Sequence, residues 1–257
     1  MVTRDTAWPA GTPCWIDIGV ADMPRAKAFY SGLFGWEITD GPPEAGGYSM
    51  CEIDGQQVAG IGPKMGPADM PTFWTTYIAT ENATETAAKI KAAGGQVMME
   101  PFDVMDVGRM FIATDPGGAI FGVWQAKAHT GVQLANEPGS LTWSENMSRS
   151  YEANKAFYAA VFGYQFGEIA PTYSTLDIDG RPAGGIGELG PEHADRPAAW
   201  GTYFAVPDTD AVAARAVELG GAIVAPAFDS PYGRMAVLAD DQGGEFAVMT
   251  PNPEMQG

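Results

Sequence analysis

The sequence predicts an α+β protein built from two tandem copies of one domain. Three observations predict it: a repeat that runs along the whole chain, apolar strand patterns that alternate with helix patterns, and a high content of turn-forming residues, with 33 Gly and 20 Pro among 257 residues. The hydrophobic fraction of 46% supplies enough apolar side chains for packed cores. We expect one copy over residues 5–127, a second over residues 136–251, and a polar boundary segment over residues 126–140.

The repeat is clearest around the first helix of each copy. Residues 11–38 read GTPCWIDIGVADMPRAKAFYSGLFGWEI, and residues 139–166 read GSLTWSENMSRSYEANKAFYAAVFGYQF. The match continues through the hairpins YSMCEIDG and YSTLDIDG, the segments AGIG and GGIG, and the turns that follow GRM in each copy. Matches spread over the full length indicate a duplication of the whole domain and not a shared local motif.

Each copy is expected to contain two βαβββ modules. In the first module, apolar residues recur at helical spacing over 23–34, and Gly35 supplies the stop. These apolar helix positions, including Phe29 and Tyr30, are interpreted as core residues without a functional role. Asp54-Gly55 predicts a hairpin turn. The remaining elements of the first copy are predicted as strands over 14–20, 36–39, 47–53, 56–62, 73–80, 96–102, 108–113 and 119–125, with a second helix over 81–93.

The composition argues against several classes of partner. The formal net charge of −18 repels phosphate backbones and anionic membrane surfaces, so we expect no nucleic-acid or membrane partner. The sequence shows no apolar run typical of a membrane span or a signal peptide. The two cysteines, Cys14 and Cys51, form no C-x-x-C pair and are expected to be reduced core thiols in a cytoplasmic protein.

The quoted motifs carry a family resemblance. An initial strand, V-x-D, a helix ending in A-F-Y-x-x-x-F-G-W, and a late G-R-M…D-P-G-G turn resemble the vicinal oxygen chelate superfamily, which includes glyoxalase I, bleomycin-resistance proteins and extradiol dioxygenases. The resemblance implies glyoxalase-like domains whose mixed sheet curls around a cleft, which in many relatives holds a divalent metal. Because the superfamily hosts many activities, the resemblance is specific for the fold and poor for the chemistry.

The metal ligands that the resemblance implies are not present at the aligned positions. In metal-using relatives a His or Gln lies seven residues before the Asp of V-x-D, and a Glu lies seven residues after the Asp of D-P-x-G. Neither indole, glycine nor valine is a ligand for a divalent ion, and a threonine hydroxyl is a weak one. The aligned positions are Trp15, Thr75 and Gly122 in the first copy, and Trp143, Gly201 and Val248 in the second. We therefore expect no metal and no other cofactor, and we interpret His129 and His193 as exposed loop residues.

The alternation of side chains along a strand predicts what faces each cleft instead. If Trp15 faces the cleft of the first copy, then Asp17 does too, opposite Thr75 and Tyr77 of the partner module. The second copy offers an equivalent aromatic wall, carboxyl and phenol. The second set is Trp143, Glu145 and Tyr203; the further candidates for ligand contact are Trp124 and Thr250 at the rims and the matched arginines Arg109 and Arg234. Each arginine is alternatively paired with a nearby acid such as Asp103, Asp106 or Asp229.

Two classes of function remain open. A carboxyl in an apolar pocket has a raised pKa that suits a general base or acid, and a tyrosine can donate to a developing oxyanion. Asp17 with Tyr77, and Glu145 with Tyr203, would then catalyse lyase, isomerase or cyclase chemistry on a carbonyl-bearing or aromatic molecule. Alternatively, the protein binds and sequesters a small molecule, as bleomycin-resistance relatives do, and the same groups only fill space and hydrogen-bond to one another.

The sequence also leaves the assembly open. Four modules in one chain are sufficient for a monomer, while a homodimer remains possible. Whether each cleft forms within a copy or by exchange of modules between copies is not determined by the pattern, and a metal-dependent glyoxalase I is disfavoured because that reaction needs the missing ligands.

Overall fold

The computed structural model describes residues 2–67 and 70–252, and its elements follow the predicted order. The first copy contains β1 (Val2–Thr3), β2 (Pro13–Val20), α1 (Met23–Phe34), β3 (Glu37–Asp40), β4 (Ser49–Ile53), β5 (Gln56–Pro63), β6 (Trp74–Ala79), α2 (Ala83–Ala92), β7 (Gln96–Val104), β8 (Gly108–Thr114) and β9 (Ile120–Ala126). The second copy contains β10 (Leu134–Ala135), β11 (Leu141–Ser148), α3 (Tyr151–Phe162), β12 (Gln165–Ala170), β13 (Tyr173–Ile178), β14 (Arg181–Glu188), β15 (Ala199–Ala205), α4 (Thr209–Glu218), β16 (Ala222–Ser230), β17 (Gly233–Ala239) and β18 (Glu245–Pro251). The α+β fold with two βαβββ modules per copy is thereby confirmed. Among the described residues, no helix is long and apolar enough to cross a membrane.

Each copy forms its own mixed sheet. The strands of the first copy lie in the order β3-β4-β5-β2-β6-β9-β8-β7, and those of the second in the matching order β12-β13-β14-β11-β15-β18-β17-β16. At the centre of each sheet the first strands of the two modules pair antiparallel, β2 with β6 and β11 with β15. The sequence left open whether each cleft forms within a copy or by exchange of modules between copies. The strand order shows that each cleft is built from the two modules of one copy.

Local sequence explains why the first helix of each copy begins and ends where it does. The Asp22 side chain caps α1 by accepting a hydrogen bond from the backbone N–H of Arg25, and Pro24 occupies the first turn, where its missing N–H costs nothing. Gly35 ends the helix with a φ of 73°, and Gly163 ends α3 with a φ of 77°. Both glycines adopt the left-handed conformation that a helix C-terminus favours.

The helices pack across the two copies. Tyr30 of α1 is fully buried, and its hydroxyl donates to Asp240 of the second copy at 2.8 Å. In the mirrored arrangement Tyr158 of α3 donates to Asp115 of the first copy at 3.0 Å. Among the described residues there are two hydrophobic core clusters, and each combines mainly the first module of one copy with the second module of the other. Apart from β1, which pairs with β10 at the edge of the second sheet, the strands of each sheet come from one copy, whereas the cores are shared.

The predicted boundary segment is less polar in its structure than its sequence suggests. Within residues 126–140, β10 pairs with β1 and with β11, and Val132 and Leu134 are buried. Trp8 anchors the segment by donating its indole N–H to the carbonyl of Val132 at 3.0 Å. The segment therefore packs against both copies and links them through buried contacts. The two cysteines, Cys14 and Cys51, are buried and unpaired with each other, as expected.

A core residue of one copy should stabilise the whole chain. Phe246 of β18 lies 6.5 Å from the ring of Phe29 and 6.0 Å from the ring of Tyr30, ring centroid to ring centroid. We expect Phe246→Ala to lower the free energy of unfolding by about 3–5 kcal/mol, because it leaves a cavity in a shared core. Chemical denaturation should show one transition and not two. Ile169→Ala on β12, where the side chain is 50% exposed, is the control and should cost below about 0.5 kcal/mol. Equal losses in the two variants, or a separate transition for each copy, would contradict the shared core.

Candidate active site

The sheet of the first copy curls around a cavity of about 380 Å³. Strands that are far apart in the sheet order line the same cavity, because residues of β5 and β7 both contact it although four strands lie between them. The polar or charged side chains of the lining are Asp17, Tyr48, Lys64, Thr75 and Tyr77. The apolar lining consists mainly of Ile18, Pro63, Met65, Met70, Pro71, Phe73, Met98, Met99, Met110, Ile112 and Ile120. The cavity is therefore apolar apart from one cluster of polar groups around Asp17 and one lysine.

The polar cluster consists of a carboxyl held by two phenols. Tyr48 and Tyr77 both donate to Oδ2 of Asp17, at 3.2 Å and 3.1 Å. The indole N–H of Trp15 donates to the hydroxyl of Tyr48 at 2.9 Å, which orients that hydroxyl toward the carboxyl. Both hydrogen bonds reach one oxygen, so the second oxygen of Asp17 is left for Thr75 or for a ligand. Asp17, Thr75 and Tyr77 lie together in the cleft where the sequence placed them.

Tyr48 belongs to the site, although the sequence pattern did not predict it there. Tyr48 precedes β4, and its ring lies over β5, where Gly60 and Gly62 leave room for it. A Cβ atom added to Gly60 would lie 1.8 Å from the Tyr48 hydroxyl, so only glycine permits this position of the ring. The signal was present in the sequence: the tyrosine and the glycine-containing strand recur together in the second copy, as Tyr173 and AGGIG.

Burial dominates the electrostatics of the cluster. Desolvation raises the pKa of Asp17 from its ordinary 3.8 to about 6, against the opposing effect of the hydrogen bonds from Tyr77, Tyr48 and Thr75, which favour the ionised form. Desolvation also raises the pKa of both tyrosines well above 10, and the neighbouring Asp17 charge adds to this shift. The carboxyl can therefore exchange a proton near neutral pH, while the two phenols remain protonated donors.

The second copy repeats the cluster. Tyr173 donates to Oε2 of Glu145 at 2.8 Å, Tyr203 donates to Oε1, and the indole N–H of Trp143 donates to the Tyr173 hydroxyl at 3.1 Å. Burial raises the pKa of Glu145 above its ordinary value. The longer glutamate side chain reaches a phenol with each of its two oxygens, whereas Asp17 uses one oxygen for both. The carboxyl–phenol cluster is thus a feature of both copies, with a freer oxygen in the first.

Residues around the second cluster occupy space that is open in the first. By strand register, Met147 of β11 corresponds to Gly19 of β2, since Asp17 and Gly19 lie opposite Gly60 and Gly62 just as Glu145 and Met147 lie opposite Gly185 and Gly187. The Met147 sulfur lies 2.7 Å from the position that a Cβ on Gly187 would take. The thioether therefore fills the part of the second cleft that Gly19 leaves open in the first.

Three aromatic side chains pack against one another beside the polar cluster, and the prediction that Trp15 and Trp124 face the first cleft is wrong. Trp15 and Trp124 are 4% and 6% exposed and do not line the cavity. The imidazole of His129 packs edge-on against Trp15, with ring centroids 4.3 Å apart, and also contacts Trp124 at 5.4 Å. The expectation that His129 is an exposed loop residue was wrong, because the boundary segment folds back and presses this ring against the two indoles. Burial lowers its pKa from 6.5 to about 4. His193 is exposed in a short helical turn, Pro191–His193, as expected.

The remaining candidates lie outside the cavity lining. Arg109 pairs with Asp103 at 3.2 Å, and Arg234 pairs with Asp210 and with Asp229, as in the ion-pair alternative. The hydroxyl of Thr250 accepts a hydrogen bond from the backbone N–H of Thr209 at 2.9 Å and so ties β18 to the start of α4.

The side chains present do not fit the divalent metal that the family resemblance implies. Trp15 offers only an N–H donor, which is used by Tyr48, and Gly122 lies opposite Tyr77 without a side chain. In the second copy Ala247 and not Val248 lies opposite Tyr203, so the predicted position was wrong by one residue. The turn explains the shift, because Asp240 and not Asp241 makes the contact equivalent to that of Asp115. Across the described residues, no three His, Cys, Asp or Glu side chains lie close enough to share an ion.

Comparison with known proteins gives relatives along the full length of the chain. The chain is 43% identical over 253 residues to the glyoxylase-like protein CFP32 of Mycobacterium tuberculosis, covering 95% of this chain and 96% of that protein. It is 38% identical over 261 residues to the anthracycline biosynthesis protein DnrV of Streptomyces peucetius, covering 95% and 94%. Both relatives therefore contain both copies of the domain.

Solved structures share the fold at low identity. The Mn(II)-bound glyoxalase from Novosphingobium aromaticivorans superposes with a TM-score of 0.63 at 16% identity, covering 95% of this chain and 89% of that one. The 2,2',3-trihydroxybiphenyl 1,2-dioxygenase from Sphingomonas wittichii gives a TM-score of 0.64 at 10% identity, covering 97% and 95%. The sequence profile described as Glyoxalase/Bleomycin resistance protein/Dioxygenase superfamily matches residues 14–123 and 128–248. The chain therefore belongs to this superfamily, the vicinal oxygen chelate group, with one family domain in each copy.

Proposed function

We propose that the cleft of the first copy is a metal-independent acid–base site for a small aromatic or carbonyl-bearing molecule, with isomerase-, lyase- or cyclase-type chemistry. The observation that carries this proposal is the Asp17 carboxyl, whose pKa is raised to about 6 and which faces an otherwise apolar cavity with two phenols on one of its oxygens. A group with such a pKa is a competent proton acceptor near pH 7.

The geometry supports proton transfer to the Asp17 oxygen that the two phenols do not contact. A C–H bond next to a substrate carbonyl would break, its proton would pass to Asp17, and the electron pair would form the enolate, with the negative charge on the carbonyl oxygen. Once it is protonated, Asp17 is a weaker hydrogen-bond acceptor. The Tyr77 hydroxyl then becomes available to donate to the negatively charged oxygen of the enolate. Return of the proton from Asp17 to a different carbon completes an isomerisation and leaves the site unchanged. No step in this sequence needs an ion.

The lining favours a flat, apolar substrate. Five methionines and several other apolar side chains surround the cavity, and methionine adapts to irregular or planar surfaces. The size of about 380 Å³ suits a molecule of a few fused rings. The relative DnrV, named for anthracycline biosynthesis, is 38% identical across both copies, which supports a polycyclic aromatic ketone as the substrate class.

Binding without catalysis is the alternative. Its supporting observation is that one oxygen of Asp17 already accepts hydrogen bonds from Tyr48 and Tyr77 without any ligand, so the cluster also serves as a structural network. A protein of this kind would sequester an aromatic molecule and leave it unchanged. The two functions predict different effects of removing the Asp17 charge. If the site is catalytic, proton transfer is abolished; if the protein only binds its ligand, the rate of proton transfer does not change.

Exchange of the acidic protons of 2-tetralone, an aromatic ketone, tests the proposal. In D₂O, followed by proton NMR, the wild-type protein should accelerate loss of the protons between the ring and the carbonyl over buffer. Asp17→Asn should lower this acceleration by about 10²-fold or more, since it removes the base. Glu145→Gln is the matched variant in the narrower second cleft and should retain most of the activity. An unchanged exchange rate in the Asp17→Asn, Glu145→Gln double variant would remove both carboxyls from the chemistry.

Metal removal is tested with the same assay. Prolonged dialysis against EDTA should leave the exchange rate within about twofold of the untreated protein, because proton transfer to Asp17 relies on general-base catalysis alone. Loss of activity on dialysis, with recovery on addition of Mn²⁺, Ni²⁺ or Zn²⁺, would show that the claim of metal independence is wrong.

The desolvation of Asp17 has a consequence for stability that needs no ligand. Because folding raises the pKa of this carboxyl from 3.8 to about 6, its contribution to stability is fully present below about pH 4 and is lost as the pH rises through about 6. Relative to wild type, Asp17→Asn should therefore gain on the order of 1–2 kcal/mol in free energy of unfolding between pH 4 and pH 7, after allowance for the part of the carboxyl that faces the cavity. Urea denaturation at both pH values measures this, with Glu37→Gln on the exposed face of β3 as the control. A pH-independent difference between Asp17→Asn and wild type would contradict the raised pKa.

A further inference from the structure

One basic side chain lines the cavity of the first copy. Lys64 follows the last residue of β5, and its backbone N–H donates to the carbonyl of Val20 at 2.8 Å, which fixes the chain beside β2. Gly19 lies beside it, because a Cβ atom there would be in ordinary van der Waals contact with the Lys64 Cα, at 3.4 Å. The backbone hydrogen bond therefore fixes Lys64 beside the end of β2, next to the cavity that it lines.

The Lys64 ammonium has unused donor capacity. Its Nζ donates to the backbone carbonyl of Met70, another residue of the lining, and two N–H groups remain. In the described part of the chain no ion pair joins Lys64 to a carboxylate, whereas most of the arginines and lysines with defined contacts have one. Among the lining residues that the structure describes, the other charged group is Asp17, so these residues present one anion and one cation to the cavity.

Strand register gives the spacing between these two charges. Asp17 lies opposite Gly60 on β5, and Lys64 lies four residues further along the same strand direction. At about 3.3 Å per residue the Lys64 backbone is roughly 13 Å beyond the level of Asp17, and the long side chain can shorten this. The ammonium and the carboxyl are therefore on the order of 10 Å apart along the cleft, which matches two or three fused rings.

The second copy lacks this cation. Leu189 occupies the position of Lys64, as shown by the equivalent backbone hydrogen bond from Leu189 to the Ser148 carbonyl at 3.1 Å. The carboxyl–phenol cluster is common to both copies, while the lysine and the adjacent glycine are confined to the first. The carboxyl–phenol cluster is therefore common to the fold of both copies, whereas Lys64 is available for recognition of a ligand in the first cleft alone.

We propose that Lys64 is a specificity-determining residue that binds an anionic group of the substrate. The inference rests on the proposed function and adds the substrate class: an elongated aromatic ketone with a carboxylate, or an equally acidic group, about 10 Å from the atom that faces Asp17. The net charge of −18 means that the protein surface as a whole repels anions. The Lys64 ammonium therefore gives the cleft a local attraction for an anionic group that the rest of the surface opposes.

Binding of two matched probes tests the assignment. Anthraquinone-2-carboxylate and anthraquinone-2-carboxamide have nearly the same shape and differ in charge, and isothermal titration calorimetry gives the Kd of each. The wild-type protein should bind the carboxylate about 5–10-fold more tightly than the carboxamide at low salt, and added NaCl should reduce this preference. Lys64→Gln should abolish the preference while leaving the Kd of the carboxamide unchanged, which also shows that the variant is folded. Lys89→Gln, on the exposed face of α2, is the control and should behave as wild type.

The outcomes separate the two proposals. Equal affinity of the two probes for the wild-type protein, or a preference that persists in Lys64→Gln, would overturn the role of Lys64 and leave the proposed aromatic site intact. Failure of both probes to bind the wild-type protein would overturn the aromatic substrate class and the role of Lys64 together. A preference that disappears equally in Lys64→Gln and Lys89→Gln would assign the effect to overall charge and also contradict the proposal.

Discussion

The contact on which the site depends is the pair of phenol hydroxyls that meet one oxygen of the Asp17 carboxyl inside an apolar cavity. Burial of an ionised carboxyl has a large free-energy cost, and the hydrogen bonds from Tyr48 and Tyr77 offset part of it. They do not return the pKa of Asp17 to its ordinary range, because desolvation has the larger effect. Trp15 occupies a position at which the family resemblance implies a metal ligand, and its indole N–H orients Tyr48. In the function that we propose, this network of protonated donors takes the place of a metal ion and supports acid–base chemistry.

Duplication allowed the two clefts to diverge within a fixed frame. The cores are shared between the copies, through Tyr30 with Asp240 and Tyr158 with Asp115, so neither copy can change its helices without affecting the other. The strands that form each cleft belong to one copy, and around the carboxyl–phenol cluster that both copies have, their side chains differ. Accordingly the differences between the copies lie there: Met147 narrows the second cleft, and Lys64 gives the first a cation that the second lacks.

The sequence predicted the parts of the structure that depend on local pattern. The helix over 23–34 and the modules followed from apolar periodicity and glycine stops, and Asp17, Thr75 and Tyr77 followed from strand alternation combined with the repeat. Contacts between distant segments were less accessible. His129 lies in a segment of polar composition, and only the fold shows that it packs against Trp15. Tyr48 was missed because its role depends on space left by Gly60 on another strand. The family's last ligand position was assigned to Val248 instead of Ala247 because Asp240 and Asp241 are adjacent in the sequence. Only the hydrogen bonds of the folded turn show that Asp240 is the equivalent of Asp115.

The central claim, that Asp17 is a desolvated carboxyl stabilised by two phenols, is tested most directly by its own titration. Carbon-13 NMR of the side-chain carboxyls, with the Asp17 signal assigned by its loss in Asp17→Asn, gives the pKa without any assumption about substrate. The account predicts a midpoint near pH 6, and a higher one in Tyr48→Phe, because that change removes a donor to the ionised form. A midpoint near pH 4 that does not move in Tyr48→Phe would contradict the account.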